Sequence, residues 1–346
     1  MTAAITGLAN ALPPQHDQGA LWRDFFADHF GQRRAAERAW AQSGIARRHG
    51  VVDPRIEDVS TWGTRARMQR FLAEAMPLGK DALSAALDDA GLAAEELDQL
   101  VVVSCTGYAT PGLDILLARD LGLAPHAQRL HIGHMGCYAA IPALAAASDA
   151  ARARAQRVAV LSVELTSLHV QPPDPDIEQV VAHALFADAA AAAVLTPGPG
   201  LEIRDFEART ATAHADLMAW DVTDRGFRMR LSPRVPTVLR EHVADAVDTL
   251  LARHDLDRAD VAAWAVHPGG PRIIDVAADR LGLDEGQVAA SRHVLAERGN
   301  CSSATVLLIL EELRDRGELT HDGPVVALAF GPGLTLYAAL LHAGGA

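Results

Sequence analysis

Cys137 sits in "HMGCYAAIPALAAASDAARA" (134–153), after a glycine and ahead of an alanine-rich run that reads as helix. A thiol at a helix N-terminus meets free amides and the positive end of the helix dipole, which favour a thiolate nucleophile. The plainer reading is a small buried hydrophobe. His131, His134 and Cys137 also form an H-x-x-H-x-x-C run. Zinc would need a further ligand cluster of matching spacing, which the chain lacks, so no metal is expected. His267 closes the apolar run "AAWAVHPG" (262–269), and Gly269 belongs to the Pro-Gly-Gly turn that leads to a helix opening at Pro271. A histidine at a strand's end suits a general base, or is simply a surface-loop residue. Asn300, in "ERGNCSSAT", is either a helix N-cap or an amide able to donate to an oxyanion. "FGPG" (330–333), with Gly331, is a glycine turn where backbone can come close to a reacting group.

These residues fall at the corners of alternating elements. Strands are predicted over 100–107, 157–164, 190–197, 202–210, 262–269, 325–333 and 334–341. Helices are predicted over roughly 79–91, 112–121, 138–155, 236–254, 271–281 and 301–316. The alternation predicts an α/β protein with helices covering sheets. Pro142, close to the start of the helix behind Cys137, is expected to bend it. A weak repeat links "GLAAEELDQLVVVSCTG" (91–107) to "DLDRADVAAWAVHPG" (255–269). Leu92 aligns with Leu256, Leu97 with Val261 and Cys137 with Cys301, all at one offset. A duplicated unit is expected, 1–200 carrying the cysteine and 201–346 carrying His267 and Asn300, divided at "TPGPG". A pseudo-twofold would bring the two corners face to face.

Composition narrows the field. The 346 residues are 49% hydrophobic, so the chain can bury a large core, and the formal net charge of −13 argues against general nucleic-acid binding. The opening "MTAAITGLANALPPQ" has no basic region or long apolar run, so no signal peptide is expected, and nothing has the length of a membrane span. Three cysteines make no disulfide framework, and a reducing, cytoplasmic setting is expected.

"GCYAA", "ALFADAAAAAVL", "VHPGGPRIID", "RGNCSSATVLLILEEL" and "FGPGLT" resemble, in order and separation, the signature segments of type III polyketide synthases, the chalcone-synthase-like family. That resemblance implies a thiolase-like α/β fold with duplicated αβαβα halves in five layers, and a homodimer. It implies Cys137 as acyl acceptor, His267 and Asn300 as its partners, and Phe186 as an aromatic gatekeeper. It implies acyl and malonyl-type thioester substrates and no cofactor. His267 would hold Cys137 as a thiolate. The expected reaction is decarboxylative Claisen condensation, followed by cyclisation to a pyrone or resorcinol.

The sequence also departs from the family's pattern. Arg38 resembles one member of a coenzyme A phosphate clamp, but Gln42 and Ala35 replace others. A donor borne on an acyl carrier protein, which lacks nucleotide phosphates, is therefore an alternative. His169 stands where the family has a small pocket residue, Met229 where a second gatekeeper is expected, and Thr110 where a methionine often reaches the partner's cavity. His169 is expected either to shorten the cavity or to point elsewhere. The rival readings are a single-condensation ketosynthase joining carrier-bound chains, a ketoacyl synthase III-like initiation enzyme, and a non-catalytic thiolase-fold partner.

Overall fold

The computed structural model describes residues 2–319 and 322–344. Its strands are β1 (Ala3–Ala11), β2 (Gln99–Ser104), β3 (Gln128–Gly133), β4 (Val158–Leu165), β5 (Asp188–Pro197), β6 (Leu201–Thr210), β7 (Met218–Thr223), β8 (Gly226–Leu231), β9 (Ala263–Val266), β10 (Gly323–Gly331) and β11 (Thr335–Ala343). The helices used below are α1 (Arg34–Ala41), α2 (Thr64–Asp89), α3 (Leu113–Leu121), α4 (Ala140–Arg154), α5 (Ile177–Leu185), α6 (Val235–Ala252), α7 (Pro271–Leu281), α8 (Ala289–Arg298) and α9 (Ala304–Asp315).

Nine strands form one sheet in the order β3-β2-β4-β5-β1-β6-β11-β10-β9. It consists of two half-sheets, joined where β1 meets β6 through only two residue pairs, Ala4–Glu202 and Ile5–Leu201. Each half repeats one pattern. β2 runs parallel to β4 and β9 parallel to β10, while β5 and β11 return antiparallel. Short 3₁₀ turns at Ala94–Glu96 and Arg258–Asp260 precede β2 and β9, so the Leu97/Val261 repeat occupies equivalent places in the two halves.

Burial on both faces of the central strands produces the layers. In β2, Val101 and Val103 pack inward with Ile141 and Leu144 of α4, while Leu100 and Val102 pack outward with Leu83 of α2 and Leu117 of α3. In the second half Ala265 faces the middle layer with Leu307 of α9, and Trp264 faces outward with Val243 and Leu250 of α6. The result is a five-layer thiolase-like fold, α2/α3, half-sheet, α4/α9, half-sheet, α6/α7. Alternating residues that are all apolar are what a strand covered on both sides requires. Each large aliphatic buried this way contributes about 1.5–3 kcal/mol.

Some elements differ from expectation. The helix expected from 79 begins at Thr64, because Pro77 lies inside it without ending it. Pro142 stands in the first turn of α4, where an amide donor has little use, so the bend expected behind Cys137 has no cause. β3 carries mostly exposed side chains at the sheet's edge and offers no apolar alternation to read. His131 is exposed on β3 and His134 in the turn after it, whereas Cys137 is buried. No group of three or more metal-ligating side chains occurs among the described residues.

Candidate active site

Cys137 lies on a 3₁₀ turn, Gly136–Tyr138, that feeds α4. Gly136 has φ +76°, and a Cβ there would stand 2.5 Å from Cδ of Pro332. Gly331, at the end of β10, packs so closely that a Cβ would fall 3.2 Å from the Cys137 amide and 2.7 Å from the Tyr138 ring. Two glycines thus fix where the cysteine backbone sits. Burial pushes the Cys137 thiol up to about 12, with a hydrogen bond to the Ser302 side chain acting against it. Burial thus opposes the depressed pKa expected from the helix terminus.

His267 follows β9 directly, and its amide donates to the carbonyl of Leu328 at 2.8 Å. Its side chain is wholly buried, which overturns the surface-loop reading, and neither ring nitrogen has a hydrogen-bond partner. Burial lowers its pKa to about 3, so the imidazole is neutral at physiological pH. Two buried, unpaired ring nitrogens are costly unless a ligand uses them.

Asn300 is not the N-cap of α9; Ser303 is. Its Oδ1 accepts the Ser302 amide at 2.9 Å, which fixes the orientation of the side-chain amide and leaves Nδ2 as the free donor. Gly299, at φ +77°, makes this corner possible, since a Cβ would lie 2.7 Å from Cβ of Ala187. The Asn300 amide donates to Leu185 and its carbonyl accepts from Ala187, which ties the corner to the backbone around Phe186.

Cys137, His267 and Asn300 line one cleft of about 1320 Å³, its open mouth included, together with Gly269, Phe186 and Met229. Behind it are a narrow inner chamber and a further cavity, and Phe186 and Met229 line all three. Those two side chains stand where the compartments meet. Arg38 is exposed on α1, its Nε turned to the Arg34 carbonyl, while Gln42 lines the cleft. Thr110 is exposed and borders none of these cavities in its own chain.

His169 borders the rear cavity but is held in place. Its Nε2 bonds to the Thr106 carbonyl at 2.6 Å and its Nδ1 accepts the Phe227 amide at 3.0 Å. With both nitrogens used and the ring stacked on Phe227 at 4.6 Å, it is a structural support. It does not border the chamber that holds Cys137, but it lines the cavity behind it.

Sequence reading missed a buried polar group close to Cys137. Glu164, buried in β4, accepts the Cys105 amide at 3.0 Å, Oγ1 of Thr106 at 2.7 Å and Oγ of Ser303 at 2.5 Å. Sγ of Cys105 lies 3.2 Å from Oγ of Ser302. Burial pushes the Glu164 carboxyl up and these donors hold it down. The signal was available in "VAVLSVEL", where a glutamate interrupts an otherwise apolar strand. Trp220 was missed as well; it borders both inner cavities.

A cysteine, a histidine and an asparagine meeting where two thiolase-like halves face each other define a condensing acyltransferase. Residues 38–199 match the N-terminal domain of chalcone and stilbene synthases and residues 208–344 the C-terminal domain. The chain belongs to that family, the type III polyketide synthases. It is 33% identical to the alpha-pyrone synthesis polyketide synthase-like Pks18 of Mycobacterium tuberculosis, across 96% of this chain and 89% of that protein. It is 33% identical to 1,3,6,8-tetrahydroxynaphthalene synthase of Streptomyces peucetius, across 98% and 93%. Among solved structures, PKS-I of the brown alga Ectocarpus siliculosus superposes with a TM-score of 0.92 at 31% identity, covering 99% of this chain and 98% of that one. The type III domain of Steely1 from Dictyostelium gives 0.92 at 26% identity, covering 99% of each chain.

Proposed function

We propose that Cys137 accepts the acyl starter and that His267 and Asn300 bind the thioester oxygen of a malonyl-type extender. The carrying observation is the pair of unpartnered ring nitrogens on wholly buried His267, in the cleft shared with Cys137 and Asn300. Cys137 passes its proton to His267, and the resulting ion pair offsets the desolvation that each group suffers alone. The thiolate attacks the starter thioester; an Sγ–acyl bond forms and the carrier thiol leaves with a proton. The extender then loses CO₂, and its electron pair becomes an enolate stabilised by donors from His267 and Nδ2 of Asn300. The enolate carbon attacks the Cys137 acyl carbon, the C–S bond breaks, and a β-ketoacyl thioester two carbons longer results. Repetition and cyclisation to a pyrone or resorcinol complete the reading, supported by the relatives named for pyrone and naphthalene products. No step calls on a metal or redox cofactor.

Intact-protein mass spectrometry with a panel of acyl thioesters tests this, since Cys137→Ala abolishes the adduct. An adduct that persists in that variant refutes Cys137 as the acceptor.

The donors are coenzyme A thioesters in the first reading. A carrier-protein donor is favoured by one feature: Arg272 is the one cation among the described residues lining the cleft, and Gln42 takes the place beside α1. Matched acyl donors of the two kinds separate these readings. A homodimer is supported by the unpaired edge of β3 and by exposed Leu130, Ile115 and Tyr108, the last on the loop that carries Thr110. Leu130→Arg, read by light scattering, tests that contact. The cytoplasm is the proposed site of action, in keeping with three free cysteines; no helix among the described residues is long and apolar enough to cross a membrane.

A further inference from the structure

We propose that the rear cavity is a bicarbonate site, with the Arg48 guanidinium as its receptor and Oε1 of Gln179 taking the ligand's O–H. The site lies apart from Cys137, His267 and Asn300, and binding there does not depend on the condensing role proposed above.

Arg48 is a buried cation without a counter-ion. It is 8% exposed and forms no ion pair among the described residues. Nη1 donates to the carbonyls of His183 and Phe186. Nε and Nη2, which make up the other edge of the fork, have no hydrogen-bond partner among the described residues. The Phe26 and Trp40 rings lie 5.6 and 5.0 Å from Cζ. Burial lowers the Arg48 pKa to about 10, so the group stays charged at neutral pH. Asp188 acts on it only from beyond ion-pair distance, and its oxygens already accept from Val51, Thr166 and Ser167. A buried cation with two unused donors is unfavourable unless a ligand completes it.

Arg48 borders the rear cavity, which no aspartate or glutamate among the described residues lines. Gln179, 1% exposed, lines the same cavity. Its Nε2 donates to the Met229 carbonyl at 2.7 Å, and its Oε1 has no partner. The cavity therefore joins a positive charge, a pair of parallel N–H donors and one free acceptor. A plain carboxylate answers the first two and leaves the acceptor unused. Bicarbonate answers all three, with two oxygens on the Nε/Nη2 edge and its O–H on Gln179. The free space, about 50 Å³, holds about four water-sized groups, which matches the four heavy atoms of bicarbonate and excludes an aromatic acid.

The site is tied to the corner that carries Asn300. Arg48 holds the Phe186 carbonyl, and its Cβ lies 3.3 Å from where a Cβ on Gly299 would stand. An anion that completes the guanidinium should therefore stabilise this part of the fold. CO₂ becomes bicarbonate in water by adding one water molecule and releasing a proton. Supply of the ligand by the enzyme's own turnover rests on the decarboxylation proposed above; its binding does not.

The test follows the melting temperature at pH 8 in CO₂-free buffer of constant ionic strength, as sodium bicarbonate replaces sodium chloride. Bicarbonate at about ten times its Kd is expected to raise the melting temperature by about 2 °C, with saturation. Nitrate, a planar anion of the same size without an O–H, is expected to give less than about half that rise at equal concentration. Arg48→Met removes the receptor, and Gln179→Glu places a carboxylate in the cavity; each is expected to abolish the response. No saturable rise in the wild-type protein, or equal rises with the two anions, would overturn the assignment. So would a wild-type response in Gln179→Glu, which decides the matter if Arg48→Met does not fold. Failure of Cys137 to accept an acyl group would instead count against the condensing role and leave this site standing.

Discussion

Phe186 and Asn300 face each other across an isolated parallel β-bridge, held by the residues that flank Phe186. The Asn300 amide donates to Leu185 at 3.0 Å, and the Ala187 amide donates to the Asn300 carbonyl at 2.9 Å. A side chain at the junction of three cavities and the amide proposed to hold the enolate therefore share one rigid corner. Displacing either backbone displaces the other.

Asn300→Ala removes a donor needed only once the extender has bound. Loading of Cys137 should stay within a few-fold of wild type, while decarboxylation and condensation fall about 10²–10³-fold. Single-turnover acylation and release of labelled CO₂ measure the two separately. Equal losses in both would assign Asn300 a structural role instead.

His267→Gln deprives Cys137 of its proton acceptor. Burial, with the Glu164 carboxyl adding to it, raises the thiol to about 12. Alkylation by iodoacetamide in the variant should then be slow at pH 7 and climb about tenfold per pH unit toward alkaline conditions. The wild-type enzyme should react faster at neutral pH. Superimposed profiles would show that no ion pair forms.

Gly136→Ala must hold a Cβ at φ +76° against Pro332. The strained conformation costs about 1–3 kcal/mol, and the clash moves the Cys137 amide. Reduced melting temperature and slower acylation should appear together. A variant that loads at the wild-type rate would show that the turn has more freedom than this.

His169 is neutral in the fold, with burial lowering its pKa to about 3. Its protonation therefore favours the unfolded chain. The stability it protects is present above about pH 6.5, the ordinary histidine value, and is lost as pH falls toward 3 at about 1.4 kcal/mol per unit. His169→Gln should be less stable at pH 7.5 and less sensitive to acid between pH 6 and 5, measured by denaturant unfolding. A slope equal to wild type would contradict this.

Much of the plan is legible in sequence because it depends on local rules. The all-apolar runs mark strands covered on both faces, the glycines mark corners, and the offset shared by Leu97/Val261 and Cys137/Cys301 reports a duplicated unit. Where local signals are weak, reading along the chain fails. α2 runs through Pro77, which reads as a helix break, and β3 exposes most of its residues and shows no apolar alternation.

The sequence by itself determined the fold class, the family and the three residues that carry the proposed chemistry. These follow from residue types at fixed spacings near strand ends. Only the tertiary structure decided the surroundings of those residues. It buried His267 with both nitrogens free, pinned His169 at the wall of the rear cavity, placed Glu164 close to Cys137 and set Trp220 between two cavities. Desolvation, partner atoms and cavity walls come from segments far apart in the chain, and no local pattern encodes them.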